Sequence, residues 1–362
     1  QISVGLRTVG SSIGTKASGR TRIEVAKKLA EIKNLCSNGI GLPTDATVKH
    51  WLDYWVESVL PGTSIARTTF ESYRDICTWY LIPELGRIRL TKLSPSDVRQ
   101  MLFTMERNGY SRNTQRLAKA ALGRALRVAE FEGHVTRNVA QLVDGIRLER
   151  DRGRTMSMAQ IEALLEALKG TRIETVVHLM LATGLRRSEA WALSWSDLDL
   201  ACNPAKVTVV KALKRERSGM VLGSPKTKRT QRTLFLPEQT ALKLRELRSR
   251  QATERLAMGS AWGKGWRHVD LIFTTPTGTP IDPSNFRLEF QRVLGKAGIG
   301  HWTPHELRHT AASMMLTRGV SIKEVSEALG HSSIAVTADV YGHLLEPSNA
   351  TASAMSRIMY GS

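Results

Sequence analysis

Six side chains in this sequence are of types that act on phosphate: Arg186, Lys226, His305, Arg308 three residues later, His331, and Tyr341 ten residues after that. Two arginines, a lysine and two histidines can crowd positive charge around a phosphate, and a guanidinium can grip two of its oxygens in a fork. The tyrosine hydroxyl supplies a nucleophile. A phenol with a pKa of about 10 is mostly protonated at neutral pH, so it needs help. Neighbouring cations favour the phenolate, and His305 is a candidate to accept the proton. Such a set can break a phosphodiester with neither metal nor nucleotide.

These residues need local structure to hold them. Thr183-Gly184 breaks one helix and opens another, which puts Arg186 near a helix N-terminus, where unpaired amides and the helix dipole favour an anion. Glu189 is expected to orient its neighbours. Thr303-Pro304 reads as a helix start, with Glu306 closing a capping box, and the spacing of His305 and Arg308 sends both from one face. Ser321 with Glu324 starts another helix, Gly330 ends it, and Ser332/Ser333 begin the next. His331 falls in that turn and Tyr341 on the helix beyond it. Residues 205–232 hold nine Lys/Arg against one acid between two strand candidates, near Val207–Val210 and Arg232–Leu236. Tyr360 has no such histidine or arginine context.

Two segments carry rival readings. His305-Glu-Leu-Arg-His309 matches the HExxH pattern, which would make His305 and His309 zinc ligands and Glu306 a general base. Arg308 inside the pattern argues against it. Ala328 to Val336 resembles a helix-turn-helix, as in a regulator that binds DNA without cutting it.

In order and context, Thr183-Gly-Leu-Arg-Arg-Ser-Glu189, Thr303-Pro-His-Glu-Leu-Arg-His-Thr310, Leu329-Gly-His-Ser-Ser333 and Val340-Tyr-Gly-His-Leu344 resemble the motifs of the tyrosine recombinase (phage integrase) family over roughly residues 150–346. The resemblance implies a mainly α protein with a small antiparallel sheet. A helical, SAM-like core-binding domain would join a catalytic domain of the DNA breaking-rejoining fold, closing as a C-shaped clamp on DNA. It implies that Arg186, Lys226, His305, Arg308, His331 and Tyr341 are catalytic, with Tyr341 linked to the 3′-phosphate and Lys226 protonating the leaving 5′-oxygen. Lys228 is the alternative lysine. The implied reaction uses no cofactor and no metal. The implied partners are double-stranded DNA attachment sites, three further copies of the chain in a tetramer on synapsed DNA, and an excisionase or DNA-bending accessory protein. A type IB topoisomerase shares the residue set and is the nearest enzymatic rival.

Charge agrees with a nucleic-acid partner. The 362 residues carry 52 Lys+Arg against 33 Asp+Glu, a net charge of +19, more than solubility requires. Three scattered cysteines form no framework, which points to a reducing compartment, and the family context to a bacterial cytoplasm at the nucleoid. No apolar run reaches the length of a membrane span.

Along the chain, residues 1–42 form a basic segment, with a helical stretch at 21–32 that resembles the end of an arm-site-binding domain. Residues 43–146 read as four helices of the core-binding type. Val48, Trp51, Leu52, Trp55 and Val56 share a face in the first, and Ile82-Pro83 ends the second. The fourth, near Arg112–Glu132, shows Arg112, Arg116 and Lys119 on one face as candidate phosphate contacts, with Leu117, Ala121 and Leu126 inward. Trp51, Trp55 and Trp79 are expected in the core. Residues 147–156 read as an interdomain linker, 157–346 as the catalytic domain, and 347–362 as a tail docking on a neighbouring subunit. Lys228 and Arg229 are further candidates for DNA contact.

Overall fold

The computed structural model of the chain describes residues 46–146, 153–217, 219–223, 231–342 and 358–359. The chain divides into two compact units between residues 149 and 150. Lys226, Lys228, Arg229, the helical stretch at 21–32 and the tail apart from Ile358 and Met359 lie outside the described residues.

In the N-terminal unit, Thr47 caps α1 (Val48–Tyr54) by accepting from the His50 amide, and the apolar face expected there is buried. The second helix is longer than its Ile82-Pro83 signal predicts. α2 (Arg67–Ile76) widens into a π-type turn at Cys77–Leu81 and continues as α3 (Ile82–Leu85). Pro83 sits at the start of α3, directly after the π-type turn, where the helical hydrogen-bond pattern changes. Ser94 and Asp97 form a capping box on α4 (Pro95–Arg107), and Ser111 caps α5 (Arg112–Phe131). Ala118, Ala121, Leu122, Ala125 and Leu126 of α5 are buried in a core with Trp51, Trp55 and Met101. Small residues at this repeat let neighbouring helices approach closely. Two expectations fail here. Trp79 is 69% exposed, on the outer side of the widened turn, and Leu117 is 40% exposed, one residue off the buried stripe.

The C-terminal unit opens with the Ser157–Gln160 capping box on α6 (Met158–Leu168), followed by α7 (Glu174–Thr183) and the single turn α8 (Arg187–Ala190). Five short strands follow: β1 (Leu198–Asp199), β2 (Lys206–Val209), β3 (Ala212–Glu216), β4 (Gly219–Gly223) and β5 (Arg232–Phe235). β2 is central in an antiparallel sheet ordered β1-β2-β5, with Leu198 opposite Val207 and Val207 opposite Leu234. Val207 and Val209 point into the core while Lys206 and Thr208 are partly exposed, the alternation of a sheet with one covered face. β3 and β4 form a separate hairpin.

The long α9 (Glu238–Met258) carries little sequence signal of its own, since its buried residues Ala241, Leu244 and Leu247 make only a thin stripe. α10 (Pro283–Ala297) contributes Phe286 and Phe290, whose rings stack 5.7 Å apart. Then come α11 (Pro304–Thr317), α12 (Ile322–Leu329) and α13 (Ile334–Tyr341). Among the described residues, no helix is long and apolar enough to cross a membrane.

Candidate functional site

Thr303 and Glu306 form the expected capping box, and Pro304 occupies the first turn of α11. From that helix Arg308 reaches back 124 residues, donating from Nη1 to the Gly184 carbonyl at 2.8 Å and from Nη2 to the Leu329 carbonyl at 2.7 Å. The residue is 3% exposed. Burial, with Arg186 beside it, pulls its pKa down to about 9, so it still carries its charge at neutral pH.

Gly184 makes this approach possible. It ends α7 in the left-handed conformation (φ +66°), and a Cβ there would sit 2.5 Å from Leu329 Cδ2. Arg186, two residues on, caps α8. Its amide is not among the unpaired ones at this helix start: it donates to Glu189 Oε2 at 3.0 Å, and its Nη1 donates to Glu189 Oε1 at 2.8 Å. The anion-binding capacity of Arg186 therefore rests in its guanidinium rather than in its backbone.

Glu189 is the hub, as its expected orienting role requires. It is 5% exposed and also accepts from Arg232 Nη2 at 2.8 Å. Burial alone would raise its pKa, but Arg232 and Arg186 outweigh that and hold the carboxyl below its ordinary range. Arg232 in turn donates from Nε to the Ala328 carbonyl at 2.6 Å. Two arginines thus pair with one carboxylate, and Arg308 lies close enough to feel its charge, leaving excess positive charge in a half-enclosed place. In the sequence, Arg232 reads only as a strand residue. Its strand position was legible, but no local signal marks its partner 43 residues away.

Arg186, His305 and Arg308 line one cavity of about 510 Å³, with Arg187, Ser188, Arg287, Gln291 and His301 around them. His331 does not line it. It sits in the turn between α12 and α13 with Nδ1 2.7 Å from Thr337 Oγ1. The histidines add less charge than expected. Burial and the neighbouring arginines hold His305 below its ordinary pKa and push His331 down to about 4. Both are neutral at pH 7 in this arrangement, and act as hydrogen-bonding groups.

Tyr341 differs most from its sequence reading. Its ring is 2% exposed, in a small apolar cluster with Ala312, Leu316, Val325 and Leu329. Burial pushes the phenol up to about 12; Arg308 pulls toward the phenolate but is outweighed. The proton acceptor at hand is also not His305. The hydroxyl lies 2.5 Å from His309 Nδ1, and the His309 ring packs edge-on against His305 at 4.8 Å. In the sequence, His309 stands out only as a candidate zinc ligand. That pattern places it one turn beyond His305, which is the signal that could have found it.

The zinc reading finds no support in the geometry. Glu306, its proposed base, is engaged by the Thr303 amide and by Arg154. Among the described residues, no three His, Cys, Asp or Glu side chains are grouped as ligands would be.

In the N-terminal unit Arg112 and Arg116 are exposed and Lys119 is half-buried. Arg116 and Lys119 line a groove of about 760 Å³ with Arg124, Arg127 and Tyr73, so the basic surface extends further along α5 than expected. Arg112 lies outside that groove.

Comparison with known proteins agrees with this arrangement. Residues 154–347 match the model of the phage integrase family. An integrase of Streptomyces ambofaciens is 31% identical over 357 residues, covering 95% of this chain and 89% of that protein. A XerC-like tyrosine recombinase of Caldanaerobacter subterraneus subsp. tengcongensis is 28% identical, covering 95% and 91%. The fold resembles that of the Tn1549 transposon integrase, solved in complex with a circular-intermediate DNA, with a TM-score of 0.69 at 20% identity over 86% of this chain and 99% of that one.

Proposed function

This chain belongs to the phage integrase family, and we propose on that premise that Tyr341 is the nucleophile of its strand transfer. It is a site-specific tyrosine recombinase of the kind that integrates or excises mobile elements. In the proposed reaction the Tyr341 oxygen bonds to a DNA phosphorus while the bond from phosphorus to the 5′-oxygen breaks. The phenol proton passes to His309, and the leaving 5′-oxygen takes a proton from Lys226, or from Lys228 if that lysine holds the position. Arg186 and Arg308 bind the non-bridging oxygens where negative charge develops, with His305 and His331 as hydrogen-bonding partners. One phosphate ester replaces another, so the bond energy is retained in the phosphotyrosine. Attack by a partner strand's 5′-hydroxyl then reverses the step.

The single observation that carries this reading is that Arg186 and Arg308 line one cavity with His305, whose ring packs against the His309 that is bonded to Tyr341. The substrate proposed is double-stranded DNA at attachment sites, bound by a tetramer on two synapsed duplexes. Arg112, Arg116 and Lys119, with Lys228 and Arg229, are proposed to contact its backbone. An excisionase or DNA-bending protein is proposed as a further partner, and the bacterial nucleoid as the place of action.

The test is incubation with nicked or phosphorothiolate-containing DNA bearing candidate sites, in EDTA, beside Tyr341→Phe. A covalent adduct that Tyr341→Phe abolishes supports the proposal. A bound, verified site that yields no adduct rejects it.

A further inference from the structure

Residues 153–156 take no part in the chemistry proposed above, yet they run along the first two turns of α11. Arg154 donates from Nε to Glu306 Oε1 at 2.9 Å and from Nη2 to the His301 carbonyl at 2.6 Å. Its guanidinium carbon lies 4.6 Å from the ring centroid of Trp302, which is buried and itself tied to the Ile299 carbonyl. The ion pair alone would count for little, because the arginine is more than half exposed. Together, the two hydrogen bonds and the ring contact fix one side chain against Glu306 in the first turn of α11 and against His301 and Trp302 just before it. Two residues further on, the Met156 amide donates to Thr310 Oγ1 at 3.1 Å, and Met156 is buried.

Between the anchor and the preceding chain sits Gly153. Its φ is +68°, and a Cβ built on it would fall 2.9 Å from His309 Nδ1, 3.0 Å from Cγ and 3.1 Å from Cδ2. The backbone at 153 therefore lies against the His309 ring with no room for a side chain. Nδ1 of that ring is the atom that holds the Tyr341 hydroxyl.

We propose that residues 153–156 are a positioning strap: Arg154 anchors it to the start of α11, and Gly153 sets the His309 ring and through it the Tyr341 hydroxyl. The strap is the C-terminal end of the stretch 147–156 that the sequence reads as the interdomain linker. The proposal rests on the reading of Tyr341 as nucleophile.

The experiment uses the full chain labelled with [15N]histidine, as wild type, Gly153→Ala, Arg154→Ala and Arg154→Lys. His309 signals are assigned from His309→Asn. Two quantities are measured: the His309 ring-nitrogen shifts without DNA, and the single-turnover rate of adduct formation at saturating DNA. Displacing a reacting group by about 1 Å costs on the order of a hundredfold. Gly153→Ala and Arg154→Ala are expected to move the His309 Nδ1 signal and slow the adduct by about 10- to 100-fold. DNA affinity should stay within about twofold, since no phosphate contact is removed. Arg154→Lys keeps the charge but loses the fork, and should fall between.

Wild-type shifts and rates in both alanine variants overturn the strap. So does a slow rate without a change at His309, or a change at His309 without a slower rate. If Gly153→Ala does not fold, Arg154→Ala decides alone. An adduct persisting in Tyr341→Phe would defeat the nucleophile assignment instead, while the His309 shifts would still report whether the strap sets the ring.

Discussion

The hydroxyl of Tyr341 lies 2.5 Å from Nδ1 of His309, a residue 32 positions earlier on a different helix. Because burial pushes that phenol up to about 12, unassisted ionisation at pH 7 leaves very little phenolate. The bonded imidazole offers the route out for the proton. His309→Gln should therefore slow adduct formation by about 10²- to 10⁴-fold, the usual contribution of a general base. Raising the pH from 7 to 9 should restore much of the loss, because hydroxide then substitutes for the ring. Rapid-quench adduct formation measures both, and a His309→Gln rate equal to wild type would reject the role.

Glu189 neutralises part of the charge of two arginines in a buried setting. Glu189→Ala removes the partner and leaves Arg232, itself 8% exposed in its side chain, without its counter-charge. Destabilisation of about 3–5 kcal/mol is expected, as for other broken buried pairs. Calorimetry of the full chain should show it as a lower transition for the C-terminal unit. Glu189→Gln, which retains the shape, should cost less.

Acid should weaken the same unit in two stages. His331 has a folded pKa of about 4 against about 6.5 unfolded, so the unfolded chain binds its proton first. Stability is complete above pH 6.5 and declines as the pH falls toward 4. The carboxyl of Glu189 is depressed, so its contribution is present above about 4.5 and is lost as pH falls through its lower folded value. His305, also depressed by burial, shares the upper stage, so His331→Gln should reduce that stage and leave the lower one. Melting temperatures at pH 7.5, 5.5 and 4 would show whether it does.

Gly184→Ala should affect both stability and chemistry. The left-handed backbone costs a non-glycine residue about 1–2 kcal/mol. The added methyl would also press on Leu329, which is fully buried and cannot yield to solvent. Leu329 and Gly184 supply the two carbonyls that hold Arg308. A loss of cleavage rate larger than the loss of bound DNA is the expected outcome, read by adduct kinetics beside anisotropy.

Removing Arg116 and Lys119 together should reduce the dependence of affinity on salt. Each phosphate contact contributes about 0.9 to the slope of log K against log salt, so a fall of about 2 is expected for the double alanine variant. Fluorescence anisotropy at four salt concentrations gives the slope, and an unchanged slope would remove that face of α5 from the DNA contacts.

How much of this was legible without coordinates follows from the range of each interaction. The capping boxes at Ser94, Ser157, Thr303 and Ser321 close between residues three apart, so the chain's own order specifies them. The turn glycines 184 and 330 are equally local, and so are the motifs around Arg186, Arg308 and Tyr341. Pro83 misled because its effect depends on where it falls within a helix, and Trp79 because its face depends on a widened turn that shifts the helical period.

By itself, the sequence determined the helix starts, the residue types of the phosphate chemistry and the basic charge, all set by composition or by contacts within one helical turn. Only the tertiary structure decided that Arg232 meets Glu189, that Gly184 receives Arg308, and that His309 rather than His305 holds Tyr341. These pairs are separated by 43, 124 and 32 residues. What joins them is the packing of whole helices and of a strand, which no local pattern of side chains encodes.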